Sequence, residues 1–290
     1  MQGFEFNTVG RIVSGAGTAL SLAGELRQLG VARPMLVTDP GLVAIGLVQP
    51  VVAALEQDGL TPVLFDAVRE DPPEDTVHAA AQLARESGAD GVLAVGGGSS
   101  MDVAKVVAVL LGGEQDLPQL YGVGMVTGSR LPLVLVPTTA GTGSEVTPVA
   151  VITTGETTKA GVSSPVLLPD VAVLDADLTL GLPAAVTAMT GVDAMVHAIE
   201  AYTSRHKKNP LSDMLALQAL DLLSRNIRTA VHDGADREAR EAMLLGACLA
   251  GQAFANAPVA AVHALAYPLG GHYHIPHGLS NSLVLPSVLE

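Results

Sequence analysis

The stretch Ala89-Asp-Gly-Val-Leu-Ala-Val-Gly96-Gly-Gly-Ser-Ser-Met-Asp102 joins a short apolar run to three consecutive glycines. The run from Val92 to Val95 is typical of a strand that is buried on both faces of a parallel sheet. Three glycines let the backbone approach a diphosphate closely, and the helix that follows offers its N-terminal N–H groups to the same anion. A plain turn could have this composition, but the position between strand and helix favours phosphate binding. The predicted phosphate loop consists of Gly96, Gly97, Gly98 and Ser99.

Apolar strands and helical patterns alternate on both sides of this loop. We predict strands at 4–13, 34–38, 61–65, 133–137 and 171–174, helices at 48–58 and 74–87, and a hairpin over 149–162. This alternation is typical of a parallel sheet with flanking helices. After Pro183 the pattern changes to Ala/Leu-rich helical segments, at 183–204, 210–231, 236–256 and 258–267. The sequence therefore predicts an α/β N-terminal domain over 1–180, with the phosphate loop of a dinucleotide-binding domain, and an all-α C-terminal domain over 181–290, which the ligand residues described below make a metal-binding domain.

Two features near the N-terminus bear on the cofactor. Gly15-Ala-Gly17 begins like a dinucleotide fingerprint, but Leu20 stands where the third glycine belongs, so we interpret it as a turn. Asp39 follows the strand at 34–38, where a carboxylate can accept hydrogen bonds from an adenosine ribose and repel a 2′-phosphate. That favours NAD over NADP. The residues alone leave open the alternative that Asp39 only caps a turn or helix.

A carboxylate and several imidazoles recur in the helical half with metal-ligand spacing. Asp193 and His197 are four residues apart and share one helix face. His263 and His277 lie on either side of a Pro/Gly-rich stretch that we predict to be a turn. One carboxylate with three neutral imidazoles suits a divalent first-row ion such as Fe(II), Zn or Mn. Two further histidines are close enough to His277 to be rival ligands or hydrogen-bonding neighbours: His272 and His274.

Charge and cysteine content limit the classes of partner. With 15 basic and 29 acidic residues the formal charge is −14, a field that repels nucleic acid and anionic membrane surfaces. The single cysteine, Cys248, cannot form an internal disulfide, which fits a reducing compartment. No signal peptide opens the sequence, and its apolar runs are broken before membrane-spanning length. We therefore predict a soluble, cytoplasmic protein.

Taken together, the motifs resemble those of the iron-containing alcohol dehydrogenase family, within the superfamily that also contains glycerol dehydrogenase and dehydroquinate synthase. The resemblance rests on four segments in order along the chain: Gly96–Asp102, Pro137–Glu145, Gly191–His197 and His263–Gly278. It implies NAD as cofactor, a divalent metal with Fe(II) expected and Zn as the alternative, and a homo-oligomer of two or more chains. Because relatives usually continue through further helices, we expect that this chain is truncated at its C-terminal end.

The resemblance also assigns roles to individual residues. The implied metal ligands are Asp193, His197, His263 and His277. The implied cofactor contacts, beyond the phosphate loop and Asp39, are Asp71, Asp102, Thr138, Thr139, Thr142 and Lys159. Many relatives have Asn where Asp71 stands, in a segment on the adenosine side, and His where Tyr267 stands. The role of that His could fall to Tyr267, to His272 or His274, or to bound water, and the catalytic set that we predict is Tyr267, His274 and His277. Lys159 could alternatively be a surface charge.

The predicted function is hydride transfer between NAD(H) and a small alcohol, aldehyde, ketone or hydroxy/oxo acid, with the metal as Lewis acid on the substrate oxygen. Reduction of the maleylacetate type falls within this class. A lyase resembling dehydroquinate synthase is a second possibility, although its phosphorylated substrate would require more basic residues than the helical half provides. A non-catalytic nucleotide- or metal-binding fragment is the third.

Overall fold

The computed structural model describes residues 3–155, 158–258, 260–273 and 275–290, and of His272 the backbone alone. The chain divides into two compact units. The α/β unit comprises Val9–Thr138 and Pro148–Leu178, and the helical unit comprises Met1–Thr8, Thr139–Thr147 and Thr179–Glu290. The last break lies next to the predicted boundary at 180, while the independence of the two units as domains stays a prediction.

The α/β unit is built on a six-stranded sheet in which every neighbouring pair is parallel, as predicted. The strands of the whole α/β unit, from both of its sheets, are β1 (Arg11–Ser14), β2 (Pro34–Val37), β3 (Val63–Phe65), β4 (Gly91–Gly96), β5 (Gly122–Val123), β6 (Leu133–Pro137), β7 (Val149–Thr154), β8 (Thr158–Ser163) and β9 (Val171–Leu174). The large sheet has the order β1-β9-β6-β4-β2-β3, and β5-β8-β7 form a second, three-stranded sheet. In the large sheet Gly96 of β4 is in register with Pro137 of β6, so both Gly-rich segments leave the same edge.

Helices cover both faces of the large sheet. They are α1 (Leu22–Gln28), α2 (Pro40–Ala44), α3 (Gln49–Gln57), α4 (Glu74–Ser87) and α5 (Gly98–Gly112). Alternate residues of β4 belong to different cores: Leu93 and Val95 pack with α1 and α3, whereas Val92 and Ala94 pack with α4 and α5. A register shift of one residue would move each of these side chains to the opposite face of the sheet, into the wrong core. The packing on both faces therefore specifies the register of β4.

The Gly15-Ala-Gly17 segment is a structural turn, in agreement with our interpretation. The buried carboxylate of Asp175 accepts hydrogen bonds from the backbone N–H groups of Gly17 and Ala19, at 3.1 and 2.9 Å. An internal carboxylate thus uses the donors that a phosphate would need.

The predicted strand over 4–13 is wrong for its first part, since only Arg11–Ser14 pairs in the sheet. Residues 3–8 belong to the helical unit, where the side chain of Asn256 replaces a neighbouring strand. Its Oδ1 accepts from Asn7 N at 2.7 Å, and its Nδ2 donates to Asn7 O at 2.8 Å. Gln252 Nε2 donates to Thr8 Oγ1 at 2.7 Å. The backbone of this segment is therefore bonded by an amide side chain instead of a neighbouring strand.

The helical unit contains α6 (Ala184–Thr203), α7 (Pro210–His232), α8 (Arg237–Asn256), α9 (Ala261–Tyr273) and α10 (His277–Leu289). Asn209 caps α7 by accepting from Ser212 N at 2.9 Å, with Pro210 at the first helical position. Close helix contacts depend on glycine: a Cβ on Gly246 would lie 2.8 Å from Leu223 Cγ. Among the described residues no single helix is long and apolar enough to cross a membrane.

The region between His263 and His277 differs from the prediction, which ended a helix at 267 and placed a turn after it. Helix α9 continues to Tyr273 with Pro268 inside it. Proline removes one backbone donor and bends a helix, but it ends the helix only when the freed carbonyl cannot be satisfied. Ala264, whose carbonyl loses its i+4 donor, is exposed and can be hydrated.

Candidate metal centre and cofactor loops

The structure brings the four predicted ligand residues together inside the helical unit. Asp193 and His197 project from α6, His263 from α9, and His277 is the first residue of α10. Each offers one ligand atom, and these atoms all lie within 4.8 Å of one another. All are buried except His277, which is partly exposed. The assignment of these residues as ligands stays a prediction, but three separate helices converge on it.

Close packing of α10 against α6 places His277. Gly278 faces the backbone of Met189, and a Cβ at Gly278 would lie only 2.4 Å from Met189 O. One turn further along α10, the fully buried Asn281 donates from Nδ2 to Asp193 Oδ1 at 2.5 Å. The same nitrogen is 3.3 Å from Nε2 of both His263 and His277. The amide of Asn281 is therefore in contact with three of the four ligand residues.

A buried carboxylate holds the outer nitrogen of His263. Glu200 Oε2 lies 2.6 Å from His263 Nδ1, and Glu200 Oε1 accepts from Val262 N at 2.6 Å. Neither Glu200 nor Asn281 was among the predicted site residues. Their spacing is a weak signal that many helical residues share: Glu200 is three residues after His197 on α6, and Asn281 is four after His277 on α10.

Electrostatics keep the cluster in a form suited to metal binding. Burial lowers the pKa of His197 to about 4, so its imidazole is neutral at pH 7. Burial opposes ionisation of Asp193, but its interactions with His197, His277 and His263 and the hydrogen bond from Asn281 outweigh this and lower the pKa of its carboxyl. A divalent ion requires unprotonated ligands. One carboxylate and three imidazoles, buried and convergent, fit a first-row divalent ion.

Two aromatic rings lie against the imidazoles. Phe254 of α8 stacks on His197 with ring centroids 4.4 Å apart. Tyr267, whose residue surface is half-exposed, stacks near His277 at 6.0 Å. Partial burial of the side chain, together with the charges of Asp193 and Glu200, raises the pKa of Tyr267. Tyr267 therefore lies next to the cluster in its protonated form, while the third predicted catalytic residue, His274, lies outside the described residues.

In the α/β unit the predicted phosphate loop leads directly into α5. Gly97 is the N-cap of this helix, and Gly98 and Ser99 form its start. A Cβ on Gly96 would lie 2.6 Å from the Cβ of Ser100, so this position requires glycine. Because α5 is a 15-residue helix, its first N–H groups can bind an anion.

Asp102 places a negative charge close to the predicted phosphate loop, and a structural hydrogen bond accounts for its presence there. Its Oδ2 accepts from Val151 N at 2.9 Å, and the fully buried Lys105 donates to Val149 O at 2.7 Å. Both side chains thus attach β7 to α5. Contact of Asp102 with the nicotinamide stays a prediction.

Four other residues predicted to contact the cofactor belong to the α/β unit: Asp39, Asp71, Thr138 and Lys159. Asp39 caps α2, accepting from Leu42 N at 3.0 Å, and its further contact with the ribose stays a prediction. Lys159 Nζ pairs with Asp71 Oδ1 at 2.5 Å, so the structure brings these two residues together at a solvent-accessible position. Thr138 belongs to the α/β unit, and its N–H donates to Gly96 O at 3.0 Å.

Thr139 and Thr142 lie on a loop that the contacts assign to the helical unit. Gly141 and Gly143 pack this loop against α6 and α8: Cβ atoms there would lie 2.8 Å from Thr190 Cβ and 2.6 Å from Gly251 Cα. Gly143 also has a positive φ of 60°. The glycines of this segment therefore serve packing, and its contact with a cofactor stays a prediction.

Comparison with known sequences places this geometry in a family. The profile of iron-containing alcohol dehydrogenases matches residues 10–176, and that of the C-terminal part of Fe-containing alcohol dehydrogenases matches residues 187–290. The chain belongs to this family. Long-chain-alcohol dehydrogenase 1 of Geobacillus thermodenitrificans (strain NG80-2) is 47% identical over 278 residues, which cover 95% of the chain and 70% of that protein.

Solved structures of iron-containing alcohol dehydrogenases and their relatives agree with the fold. A 1,3-propanediol oxidoreductase superposes with a TM-score of 0.96 at 39% identity, over 99% of this chain and 75% of its own. A sulfoacetaldehyde reductase from Bifidobacterium kashiwanohense, solved in complex with NAD+, gives 0.92 at 32% identity, over 99% and 76%. The predicted family and fold class are confirmed, and the enzyme class follows: an NAD-dependent, metal-dependent oxidoreductase.

Proposed function

We propose that the chain transfers a hydride between NAD(H) and a small alcohol or carbonyl compound at a metal held by Asp193, His197, His263 and His277. The convergence of these four side chains carries the proposal. Family membership supports it. The relatives compared above are named for a long-chain alcohol, a propanediol and a sulfonated aldehyde, which share only the hydroxyl or carbonyl group. The proposed substrate class is therefore defined by that group.

The chain's own residues set the charge and access of the metal centre. A bound divalent ion would supply Lewis acidity toward the substrate oxygen. Asp193 contributes the single negative charge of the ligand set, so this set with a divalent ion would keep a net positive charge, which would favour negative charge that develops on the substrate oxygen. Burial keeps His197 neutral, and the partial exposure of His277 leaves a side from which substrate can approach.

The cofactor would be bound by the α/β unit. Gly96, Gly97, Gly98 and Ser99 would bind the diphosphate with the N–H groups at the start of α5. Asp39 would accept from the adenosine ribose and disfavour NADP. Asp102, Thr138 and the Asp71–Lys159 pair are the further cofactor groups that we propose in this unit, and Thr139 and Thr142 those in the helical unit.

We propose that Tyr267 donates the proton that the substrate oxygen takes up when the carbonyl group is reduced. Its ring is stacked near His277, and its raised pKa keeps the hydroxyl protonated at neutral pH. A protonated phenol can donate to an alkoxide and recover its proton from water, for which the half-exposed position gives access.

The setting that we propose is a cytoplasmic homo-oligomer. The only cysteine, Cys248, is buried and free, which is compatible with a reducing compartment. Light scattering coupled to size exclusion would measure the oligomeric state directly, and a monomer at micromolar concentration would contradict this part of the proposal.

The test is NADH oxidation with a panel of small aldehydes and ketones, on chelator-treated protein and then after anaerobic addition of Fe(II) or Zn. Activity is expected only with metal. His263→Ala and His277→Ala should lose bound metal and turnover while still binding NADH. His232→Ala, at the exposed end of α7, is the matched control and should behave as wild type. Unchanged metal content in either ligand variant would refute the assignment, and turnover of a phosphorylated polyanion alone would indicate the lyase.

A further inference from the structure

We propose that Glu200 is a positioning residue of the metal centre, which fixes the tautomer and ring orientation of His263. This inference rests on the proposed function, because it treats His263 as a ligand. Glu200 itself is not in the predicted ligand set, and the sequence motifs gave it no role.

The two carboxylate oxygens of Glu200 are both engaged. Oε2 lies 2.6 Å from His263 Nδ1, and Oε1 accepts from Val262 N at 2.6 Å. The side chains of Glu200 and His263 are each 4% exposed, so water cannot replace either bond. Because Val262 and His263 are consecutive, the carboxylate holds both the start of α9 and the imidazole that follows. The plane of the carboxylate is thereby fixed relative to the ring.

Two independent neighbours indicate the same tautomer of His263. An ionised carboxylate only accepts, so the proton of the neutral ring is on Nδ1. On the opposite side, Nε2 lies 3.3 Å from Asn281 Nδ2, and an amide nitrogen only donates. Nε2 therefore presents its lone pair. The same Asn281 nitrogen donates to Asp193 Oδ1 at 2.5 Å, so His263 Nε2 and the Asp193 carboxylate share one neighbour.

The chemistry that follows is that of a carboxylate–histidine pair behind a metal ligand. The carboxylate next to Nδ1–H prevents the ring from turning and keeps the Nε2 lone pair available, and loss of such a partner costs about 10–100-fold in metal affinity. Glu200 reaches this position because it lies on α6 with Asp193 and His197, so one helix supplies two ligands and the group that orients a third.

Glu200→Gln tests the inference because it preserves shape while changing donor and acceptor. If the glutamine oxygen accepts from Nδ1–H of His263, the glutamine NH₂ points at the N–H of Val262, and two donors face each other. In the opposite orientation the glutamine NH₂ donates to Nδ1, so the proton of the ring moves to Nε2. Either arrangement disturbs the ligand. ¹⁵N NMR of histidine-labelled, chelator-treated protein should show His263 protonated at Nδ1 in wild type and shifted toward Nε2–H in the variant. Zn affinity, measured by competition with a chromophoric chelator, should fall about 10–100-fold.

Thr187→Val is the matched control. Thr187 is also buried on α6 and accepts from Arg240 Nη1 at 2.8 Å, so the variant likewise loses a buried hydrogen bond, away from the ligands. It should lower thermal stability and leave Zn affinity and the His263 spectrum unchanged. A His263 spectrum and a Zn affinity that both stay at the wild-type level in Glu200→Gln would overturn the inference. If wild-type protein binds no metal, the proposed function fails, whereas the NMR comparison still decides whether Glu200 sets the tautomer.

Discussion

Replacement of Gly278 by alanine should damage the metal centre without touching a ligand. Gly278 is the second residue of α10, directly after His277, and lies within regular helix. Alanine therefore fits the backbone, and its helix propensity alone would stabilise by about 1 kcal/mol. The opposing effect is steric, because the added Cβ would lie 2.4 Å from Met189 O and 2.8 Å from Met189 C, both backbone atoms that cannot rotate away.

The size of the effect follows from these distances. Ordinary contact begins at 3.4 Å, so α10 must move away from α6 by about 1 Å. Overpacking of this kind costs about 1–3 kcal/mol, which leaves a net loss of up to about 2 kcal/mol after the propensity gain. The same shift moves His277 and Asn281, whereas metal–ligand distances tolerate only about 0.2 Å. Zn affinity should therefore fall at least about tenfold, or about 1.4 kcal/mol.

The assay is urea unfolding of chelator-treated protein together with Zn competition. Gly270→Ala in α9 is the matched control, because its Cβ would meet Ile275 O at 3.6 Å, an ordinary contact. It should be neutral or stabilising and should bind Zn normally. Equal Zn affinities in the two variants would show that the close approach of α10 to α6 does not position His277.

Three further outcomes can be measured. Asp39→Asn should retain the cap on α2, since asparagine caps as well as aspartate, while the preference for NAD over NADP falls about tenfold in steady-state kinetics; an unchanged preference would leave Asp39 a cap only. Tyr267→Phe should lower turnover about 10²–10⁴-fold with metal content unchanged, and turnover at wild-type level would exclude it as the proton donor. Chelator-treated protein should lose stability as pH falls from about 6.5 to 4, by up to about 3 kcal/mol, because the unfolded state protonates His197 while the folded pKa is about 4; His197→Gln should remove this slope in urea titrations, and an equal slope would refute its origin.

The central part of the fold could be predicted because the residues that determine it are close together in the sequence. The apolar run before Gly96 and the helix after it need no distant partner to be recognised, and they form β4 and α5 as expected. Asp193 and His197 were recognisable for the same reason, as one turn of one helix separates them.

Other features depend on contacts between distant segments, and a single sequence carries little sign of them. Residues 3–8 resemble a strand, but their hydrogen bonds go to Asn256, far along the chain. Pro268 suggested a helix end, yet the exposed position of Ala264 lets α9 continue. Glu200 and Asn281 have common residue types, and their importance emerges only where α6, α9 and α10 meet.

The discontinuity of the helical unit has a consequence for dissecting the protein. The chain passes between the two units four times, at 8/9, 138/139, 147/148 and 178/179. A fragment ending at 180 would carry the Gly141–Gly143 loop without the glycine of α8 that it packs against, and a fragment beginning at 181 would lack both that loop and Asn7. Cutting at 180 would therefore separate segments that pack together within the helical unit. Mixing the two fragments should therefore restore more structure than the sum of their separate spectra.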